Sequence, residues 1–379
     1  MQDKGRTIQD QRKTEESVLK HFMYVGYNIH TKDYKYYVTL NSQDHIRFCL
    51  SALEELPKEV SKLNSGQPWL LFWITNSLYL LKNPVNYEVS LGIIEYLRQC
   101  MDQSGGFSGG PYQLPHLASN YAAMMTLVNL NLPEGYQLIN VQKMKQFIIS
   151  CRRQEEAGSY RMHDQGESDM RAIYCALSVA SLLNILTEEI TDSVAEYIGT
   201  CQTYEGGFAA EPLGEAHGGY TYCALASLCI LGRWDTINLD RALEWIAHRQ
   251  MRSEGGFNGR TNKLVDSCYS FWVGASFELI KQMKKLQASE VLYDPLAVQA
   301  YILIGCQARR GMIDKPGNFP DLYHTCYSLA GLSLAQHTSG TLNSVFKEEI
   351  FELAEVSALY NVSIRALSDA RSYFRNRYE

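Results

Sequence analysis

The sequence has no long apolar run. Its most hydrophobic stretch, PWLLFWITNSLYLL at 68–81, is shorter than the roughly 20 residues that span a bilayer, and Thr75, Asn76 and Ser77 interrupt it. The first residues, MQDKGRTIQDQRKTEESV, lack the apolar segment of a secretory signal. We therefore expect a soluble, cytoplasmic protein that does not span a membrane.

An excess of positive charge is also missing. The 379 residues include 35 Lys and Arg against 41 Asp and Glu, which gives a net charge of −6. A chain with this balance has no general attraction for nucleic acid or anionic membranes, so nucleic acid is not an expected partner. Any anionic substrate must be held by a local cluster of basic side chains.

Alternating strand patterns are absent, and the chain instead repeats a helical unit of about fifty residues. A glycine-rich turn that ends in a large side chain recurs at Phe107, Tyr160, Phe208 and Phe257, at spacings of 53, 48 and 49 residues, and a looser copy is Gly311-Met312-Ile313. Each unit has an amphipathic helical pattern before the turn and a pattern that is apolar on nearly all sides after it. Helices of the second kind must be buried.

We therefore expect an all-α fold in which half-exposed outer helices surround buried inner ones. With a diverged copy that starts near Pro68, about six helix pairs could close into an α/α barrel (toroid) with a central aromatic cavity, and an open solenoid is the alternative. Residues 1–40 are expected to form an N-terminal extension, helical or partly disordered, and residues 41–379 a single barrel domain.

The repeat phase predicts where a site lies. Each inner helix carries a shared tyrosine, and the residue three positions before it is polar or charged in four of five units. These residues are Ala118, Arg171, His217, Asp266 and His324. Equivalent positions of a barrel lie at one height, and helix starts attract anions, so we expect these side chains to converge on one mouth.

Three residues at that mouth offer metal ligands. Asp266, Cys268 and His324 supply one oxygen, one sulfur and one nitrogen, a set that suits zinc and leaves its fourth position open, as in catalytic sites. Taken singly, Cys268 would be a core thiol and the other two would be helix caps. Their shared place in the repeat favours the metal site.

Basic and aromatic side chains surround these ligands in the predicted barrel. His217, Arg260 and Lys263, with the phenol of Tyr269, could hold a diphosphate, although the basic pair alone would indicate only a solvated loop. The aromatic residues of the interior are Trp69, Trp73, Tyr174, Tyr220, Tyr222, Trp272, Tyr323 and Tyr327. Most such stripes are simply core, but beside an anion site they suit an apolar chain that ends in a diphosphate.

Four segments resemble the β subunits of protein farnesyltransferases: GGFSGGPYQLPHLASNYAA, EAHGGYTYCALASL, EGGFNGRTNKLVDSCYSFW and IDKPGNFPDLYHTCYSLAGLS. The resemblance runs from about residue 45 to residue 340, and its most specific part surrounds Asp266 and Cys268. It implies an α/α barrel paired with a separate helical-repeat α subunit. It also implies zinc on Asp266, Cys268 and His324, and farnesyl diphosphate as the lipid donor.

The resemblance assigns further roles to individual residues. Diphosphate contacts are implied for His217, Arg260, Lys263 and Tyr269, and isoprenoid contacts for Trp69, Arg171, Tyr174, Cys223 and Trp272. Lys263, Tyr269 and Asp314 join the zinc ligands as implied catalytic residues. Asp314, with Lys315 beside it, matches the family residue linked to Mg²⁺ at the diphosphate.

The implied acceptor is the cysteine of a C-a-a-X tail, as carried by small GTPases. The implied tail contacts are Trp69, Trp73, His116, Ala118 and Tyr323. Gly66 and Ser119 stand where the family usually has a Ser and a Pro, so the resemblance does not predict the preferred X residue.

Three other functions compete with this one. In a geranylgeranyltransferase type I β subunit, a small residue would replace Trp69, which blocks a longer chain, and a lysine would replace Asp314. A terpene cyclase would need clustered aspartates in the cavity, and the sequence shows none there. An α-solenoid that only binds a partner would hold no zinc.

Overall fold

The computed structural model describes residues 2–28, 38–54, 63–339 and 351–378. Within these ranges the regular secondary structure is helical, with only isolated bridges between extended residues, so the all-α prediction is confirmed. None of the helices in these ranges combines the length and the apolar character that a membrane span requires.

The helices alternate between an outer and an inner layer. In chain order they are α1 (Gln2–Asn28), α2 (Ser42–Glu54), α3 (Gln67–Leu80), α4 (Tyr87–Gln99), α5 (Leu117–Leu130), α6 (Pro133–Tyr136), α7 (Val141–Ser150), α8 (Met170–Leu182), α9 (Glu188–Thr191), α10 (Val194–Thr200), α11 (Gly218–Leu231), α12 (Leu239–Ala247), α13 (Tyr269–Lys284), α14 (Pro295–Ala300), a π-helix (Tyr301–Cys306), α15 (Leu322–His337) and α16 (Ile364–Tyr378). The inner layer of the described chain consists of α3, α5, α8, α11, α13 and α15. Each packs against the next, and α15 packs against α3, so the ring closes into the predicted α/α barrel rather than an open solenoid.

The hydrophobic pattern explains the two layers. The inner helix α11, GGYTYCALASLCIL, has buried residues on every side. In the outer helix α12, LDRALEWIA, the buried residues are Ala242, Trp245 and Ile246, whose spacing places them on one helical face. The first helix can be stable only inside the ring, whereas the second needs one apolar neighbour and water on its other side.

The repeat register differs from the one predicted. At the start of most inner helices a backbone N–H donates to the carbonyl of the large turn residue, and the pairs are His116 to Phe107, His217 to Phe208, Asp266 to Phe257 and Asp321 to Met312. Asp169, the cap of α8, stands at the same place in its repeat. The residues equivalent to His217 and Asp266 are therefore His116, Asp169 and Asp321, so the predicted equivalence of Ala118, Arg171 and His324 is wrong, although these three also lie at the cavity or the metal cluster.

The physical reason is that the shared tyrosines, from which the repeat positions were counted, do not all lie at one height of the barrel. The rings that do form one row across four inner helices belong to Tyr121, Tyr174, Tyr222 and Phe271, with successive centroids 5.3, 5.3 and 5.2 Å apart. Tyr220 and Tyr269 lie two residues before the row positions of their helices, about half a turn nearer the helix start, and they face the cavity. Two levels of aromatic residues therefore look like one repeat position in the sequence.

The C-terminal segment seals the end of the barrel at which the inner helices finish. The backbone N–H of Ala354 donates to the carbonyl of Leu80, the last residue of α3. Phenols from three inner helices hold the carbonyls that follow, through hydrogen bonds from Tyr121 to Tyr360 (2.9 Å) and from Tyr174 and Tyr222 to Leu359 (2.9 and 3.2 Å). The open mouth is therefore at the opposite end, where the inner helices begin.

The N-terminal extension is helical where the structure describes it, and α1 packs against the π-helix of the outer layer. Residues 29–37 of the extension lie outside the described residues. The domain boundary between residues 40 and 41 stays a prediction.

Tyr121→Phe is expected to lower the free energy of unfolding by about 1–3 kcal/mol, because the buried carbonyl of Tyr360 loses its phenol donor. Denaturant titration measures this change. Tyr87→Phe is the matched control, since that phenol bonds to Glu134 at the surface and its loss should cost less than about 0.5 kcal/mol. Equal stability of the two variants would show that the phenol contacts do not hold the seal.

Candidate functional site

A cavity of about 390 Å³ lies between the inner helices. Its size is within the range of small-molecule sites. Most of the residues singled out in the sequence line it, namely Trp69, Trp73, Ala118, Arg171, Tyr174, His217, Tyr220, Cys223, Tyr269, Trp272, Tyr323 and Tyr327. Tyr222, which was expected among them, is fully buried behind the cavity wall.

The aromatic side chains form a connected wall. Trp272 stacks on Tyr327 with ring centroids 4.5 Å apart, and its Nε1–H donates to the Tyr323 hydroxyl at 3.0 Å. Trp73 packs edge-on against Tyr323 at 5.5 Å, and Trp69 packs against Trp73 at 6.0 Å. Because each ring is held by its neighbours, the shape of the cavity is set before any ligand enters.

Asp266, Cys268 and His324 come together where α13 and α15 begin. Their oxygen, sulfur and nitrogen atoms all lie within 4.8 Å of one another, and His324 Nε2 is 3.3 Å from Asp266 Oδ1. A zinc ion binds such atoms at about 2.0–2.3 Å, so ligand atoms with this separation can surround one ion. The donor set and its geometry therefore fit the metal that the sequence predicts.

Asp321 orients the histidine of this cluster. Its Oδ2 accepts from His324 Nδ1 at 2.7 Å, and its Oδ1 caps α15 by accepting the backbone N–H of His324, also at 2.7 Å. The Nδ1 proton is held in this way, which leaves Nε2 free for a metal. Asp321 was not predicted from the sequence, although a D-x-x-H spacing at a helix start indicates an aspartate that can both cap the helix and hold the histidine.

The pKa values of the side chains in this cluster are also those of a site that is suited to a bound cation. Burial opposes a charge on His324, but hydrogen bonds to Asp266 and Asp321 outweigh it and raise the pKa of the imidazole to about 10. Burial, reinforced by the Asp266 carboxylate, raises the pKa of the Cys268 thiol well above its usual range. The imidazolium balances Asp266 in the metal-free site. A divalent cation would take over that role and keep the thiolate ionised.

His217 and Tyr269 form a hydrogen-bond donor pair at the mouth. His217 Nδ1 caps α11 by accepting the N–H of Gly219 at 3.0 Å, so the proton of the neutral ring is on Nε2, which donates to the Tyr269 hydroxyl at 3.0 Å. Burial and the nearby Arg260 lower the pKa of His217, which keeps the ring neutral. A Cβ at Gly259 would lie 2.0 Å from the Tyr269 ring, so only glycine allows this packing.

The rest of the predicted basic cluster is only partly assembled, because Arg260 and Lys263 do not line the cavity. Arg260 is near the donor pair, but its Nη1 is bound to Glu215 Oε2 at 2.5 Å. Lys263 is exposed and lines a groove that it shares with α1. Both residues lie on a loop at the rim, where an anion would have to displace Glu215 before it could pair with Arg260.

Two further predicted residues are each engaged by a neighbour. The Asp314 carboxylate is paired with Lys315 and accepts from Asn318 Nδ2 at 2.7 Å. Arg171 faces the cavity and is held by Asp169, with Nη2 at 2.6 Å from Oδ2. Asp169 was also missed, and its place directly before α8 is that of a helix cap.

Only some of the residues around the predicted position of the last tail residue reach the cavity. His116 caps α5 through Nδ1, which accepts the N–H of Ser119 at 3.1 Å, and it does not line the cavity. Ser119 is fully buried beneath it. Of the four residues considered for this pocket, Ala118 and Gly66 reach the cavity wall.

Cys268→Ala is expected to lose tightly bound Zn²⁺, whereas Asp321→Asn should keep it with about 10–100-fold weaker affinity, because it removes the group that orients His324. Competition titration with a chelator measures both. Binding should weaken as the pH falls, since protons compete for the thiolate and imidazole. Cys201→Ala, which removes another buried thiol, is the control. Full zinc occupancy in Cys268→Ala would refute the metal assignment.

Comparisons with known proteins agree with this site. A family model described as "Prenyltransferase alpha-alpha toroid domain" matches residues 40–362. The chain is 37% identical over 362 residues to protein farnesyltransferase subunit beta of Arabidopsis thaliana, which covers 80% of this chain and 74% of that one. It is 35% identical over 350 residues to the Schizosaccharomyces pombe subunit beta, covering 89% and 91%.

A solved structure shares the fold. Candida albicans protein geranylgeranyltransferase-I complexed with GGPP aligns with a TM-score of 0.73 and 24% identity, over 89% of this chain and 99% of that chain. The family model describes the same α/α barrel that the structure shows. The chain therefore belongs to the protein farnesyltransferase β-subunit family, whose members are prenyltransferases.

Proposed function

We propose that the chain is the catalytic β subunit of a zinc-dependent protein farnesyltransferase. As a heterodimer with a helical α subunit, it would transfer the farnesyl group of farnesyl diphosphate to the cysteine thiol of a C-a-a-X tail, such as that of a small GTPase. The observation that carries this proposal is the Asp266, Cys268 and His324 cluster beside an aromatic cavity and the His217–Tyr269 donor pair. The cytoplasmic location stays a prediction.

The acceptor side is the metal cluster. Asp266, Cys268 and His324 would hold Zn²⁺, which lowers the pKa of a coordinated thiol so that a thiolate is present at neutral pH. The set leaves one coordination position for the substrate cysteine. Trp73 and Tyr323 connect the cluster to the cavity wall, so the aliphatic residues of a tail would pack against them.

The donor side is the cavity and its rim. The isoprenoid would lie on Tyr174, Cys223 and Trp272, with its diphosphate toward the mouth. The bond from C1 to the diphosphate oxygen breaks as the bond from C1 to sulfur forms, so negative charge develops on the diphosphate. The Tyr269 hydroxyl, held by His217, would donate to that oxygen and stabilise the charge.

Further positive charge would come from residues at the rim. Arg260 can reach an anion once Glu215 releases it, and Lys263 is on the same loop. We propose that Mg²⁺ also accompanies the diphosphate, with Asp314 as its contact in the protein. The ion pair between Asp314 and Lys315 must open for this.

A geranylgeranyltransferase type I β subunit is the second candidate. Trp69 favours the farnesyl donor, because its indole is in the cavity wall against Trp73 and Tyr121 and fills space that a longer chain would need. Asp314 also favours a farnesyltransferase, because the rival subunit has a lysine at this position.

A transferase assay with the co-expressed α subunit tests the proposal. It compares farnesyl and geranylgeranyl diphosphate on peptides that end in Met and in Leu. We expect a higher kcat/KM for the farnesyl donor. A preference for the geranylgeranyl donor would support the second candidate, and no transfer from either donor by the zinc-loaded heterodimer would refute both.

Trp69→Thr is expected to shift the ratio of kcat/KM toward geranylgeranyl diphosphate by about tenfold or more, because it removes most of the indole and makes room for another isoprene unit. Zinc binding should be unchanged. The neighbouring Trp73→Thr is the control, and it should change the KM for the peptide more than the donor ratio. An unchanged donor ratio in folded Trp69→Thr would mean that the indole only fills the core.

A further inference from the structure

The N-terminal helix α1 lies outside the region matched by the family model, which begins at residue 40. It nevertheless completes a second, smaller hydrophobic core on the outside of the barrel. The buried members of this core are Val18, Val265, Tyr301, Cys306 and Ile313, and Phe22, Met251 and Ala308 pack against them. Val18 of α1 is 0% exposed, so this helix is docked and not merely adjacent.

This second core adjoins the metal cluster. Val265 directly precedes the ligand Asp266, and Ile313 directly precedes Asp314. Ser267 lies between Asp266 and Cys268, just before α13. Its N–H donates to the carbonyl of Asp314 and its hydroxyl donates to the carbonyl of Ile313, both at 2.8 Å. Val265 and Ile313, which belong to the same core as Val18, are therefore each one peptide bond from a segment that builds the site.

The π-helix completes the connection between α1 and Asp314. Tyr301 is fully buried against α1, and its hydroxyl donates to the Asp314 carbonyl at 2.8 Å. π-helical turns are uncommon and occur often at functional sites. Here the irregular turn places a phenol between the N-terminal helix and the segment that carries Asp314.

A polar contact extends the docking of α1 toward the rim loop. Gln11 Nε2 donates to Glu254 Oε1 at 3.0 Å, and Glu254 is 0% exposed. Burial raises the pKa of Glu254, so removal of Gln11 would leave an unfavourable buried acid. From there α1 follows the loop 258–265, where Asn258 and Lys263 line the groove between the loop and the helix.

We propose that α1 is a positioning element for the site, and that it holds the loop 258–265 and the adjoining segment of Asp314 in the geometry that the reaction needs. The inference rests on the proposed function for what the site does. The tip of the loop is exposed at Thr261, Asn262 and Lys263. On one side Thr261 Oγ1 donates to Glu205 Oε1 of the preceding repeat at 2.9 Å, and on the other side α1 lines the groove beside Asn262 and Lys263. Shifts of about 1 Å at reacting groups can cost about 100-fold in rate, so a loop of this kind needs external support.

Val18→Ala in the full-length chain tests this, with Leu19→Ala as the matched control because Leu19 is the next residue of the same helix and is 41% exposed. Hydrogen–deuterium exchange of the zinc-free protein reads the loop directly, without any requirement for activity. We expect amide exchange in 258–266 to become about tenfold faster in Val18→Ala and to stay unchanged in Leu19→Ala. The equivalent loop of the preceding repeat, 209–217, is the internal reference and should not change.

Gln11→Ala is the second variant, and it avoids the risk that the change in the small core impairs folding. It should accelerate exchange in the same loop, and both variants should lower kcat for farnesyl transfer while zinc stays bound. Faster exchange confined to α1 would overturn the proposal, as would a loosened loop with unchanged kcat and KM. If the unmodified heterodimer transfers no lipid, the proposed function fails, while the exchange data still decide whether α1 holds the loop.

Discussion

The barrel depends on a hydrogen bond that joins each of the first five repeats to the next at the open mouth. A backbone N–H at the start of an inner helix donates to a loop carbonyl of the following repeat: Gln67 to Gly109 (2.8 Å), Leu117 to Met162 (2.8 Å), Met170 to Ala210 (2.9 Å), Gly218 to Gly259 (2.7 Å) and Ser267 to Asp314 (2.8 Å). Helix starts leave such N–H groups without partners inside the helix, so the contact satisfies a requirement of every repeat. It also holds the rim loops in equivalent positions from one repeat to the next, and this placement brings candidate ligands from separate repeats together.

The fifth repeat shows why this order matters for the chemistry. Cys268 and Tyr269 are consecutive residues at the start of α13, and they face the metal cluster and the anion side of the mouth respectively. The distance between the Cys268 thiol and the Tyr269 side chain is therefore set by one rigid helix start. Ser267, one residue earlier, ties the same start to the sixth repeat. A nucleophile and a leaving group could be aligned in such a frame without movement of whole helices.

The sequence predicts those parts of the fold that depend on composition alone. An inner helix such as α11 must be buried whatever surrounds it, so the two layers follow from periodicity. Closure into a ring rather than an open solenoid does not, and it is the packing of α15 against α3 that shows it. The candidate metal ligands Asp266, Cys268 and His324 could be found because their side-chain chemistry is specific. Register and docking depend instead on partners distant in the chain. Val18 is one of few buried residues in a polar helix, and it gives no signal in the sequence because the barrel residues of its core are more than two hundred residues away.

Asp321 was missed for a different reason, which the corrected register explains. The equivalent positions His116, Asp169, His217, Asp266 and Asp321 all supply a side-chain acceptor to a backbone N–H at a helix start. Helix starts commonly carry such a residue, so a capping residue does not by itself indicate function. Each type of capping residue, histidine or aspartate, nevertheless has a second polar atom that the cap does not use.

That second group decides what each part of the mouth can bind. A histidine that caps through Nδ1 leaves an Nε2–H donor, and His217 uses it toward Tyr269 on the anion side. An aspartate that caps through one oxygen leaves another acceptor, and Asp321 uses it to hold the ligand His324. A change from His to Asp at one repeated position therefore preserves the helix and converts a donor for anions into an acceptor for a metal site. In the proposed function, that difference separates the diphosphate side of the mouth, at His217, from the metal side, at Asp321.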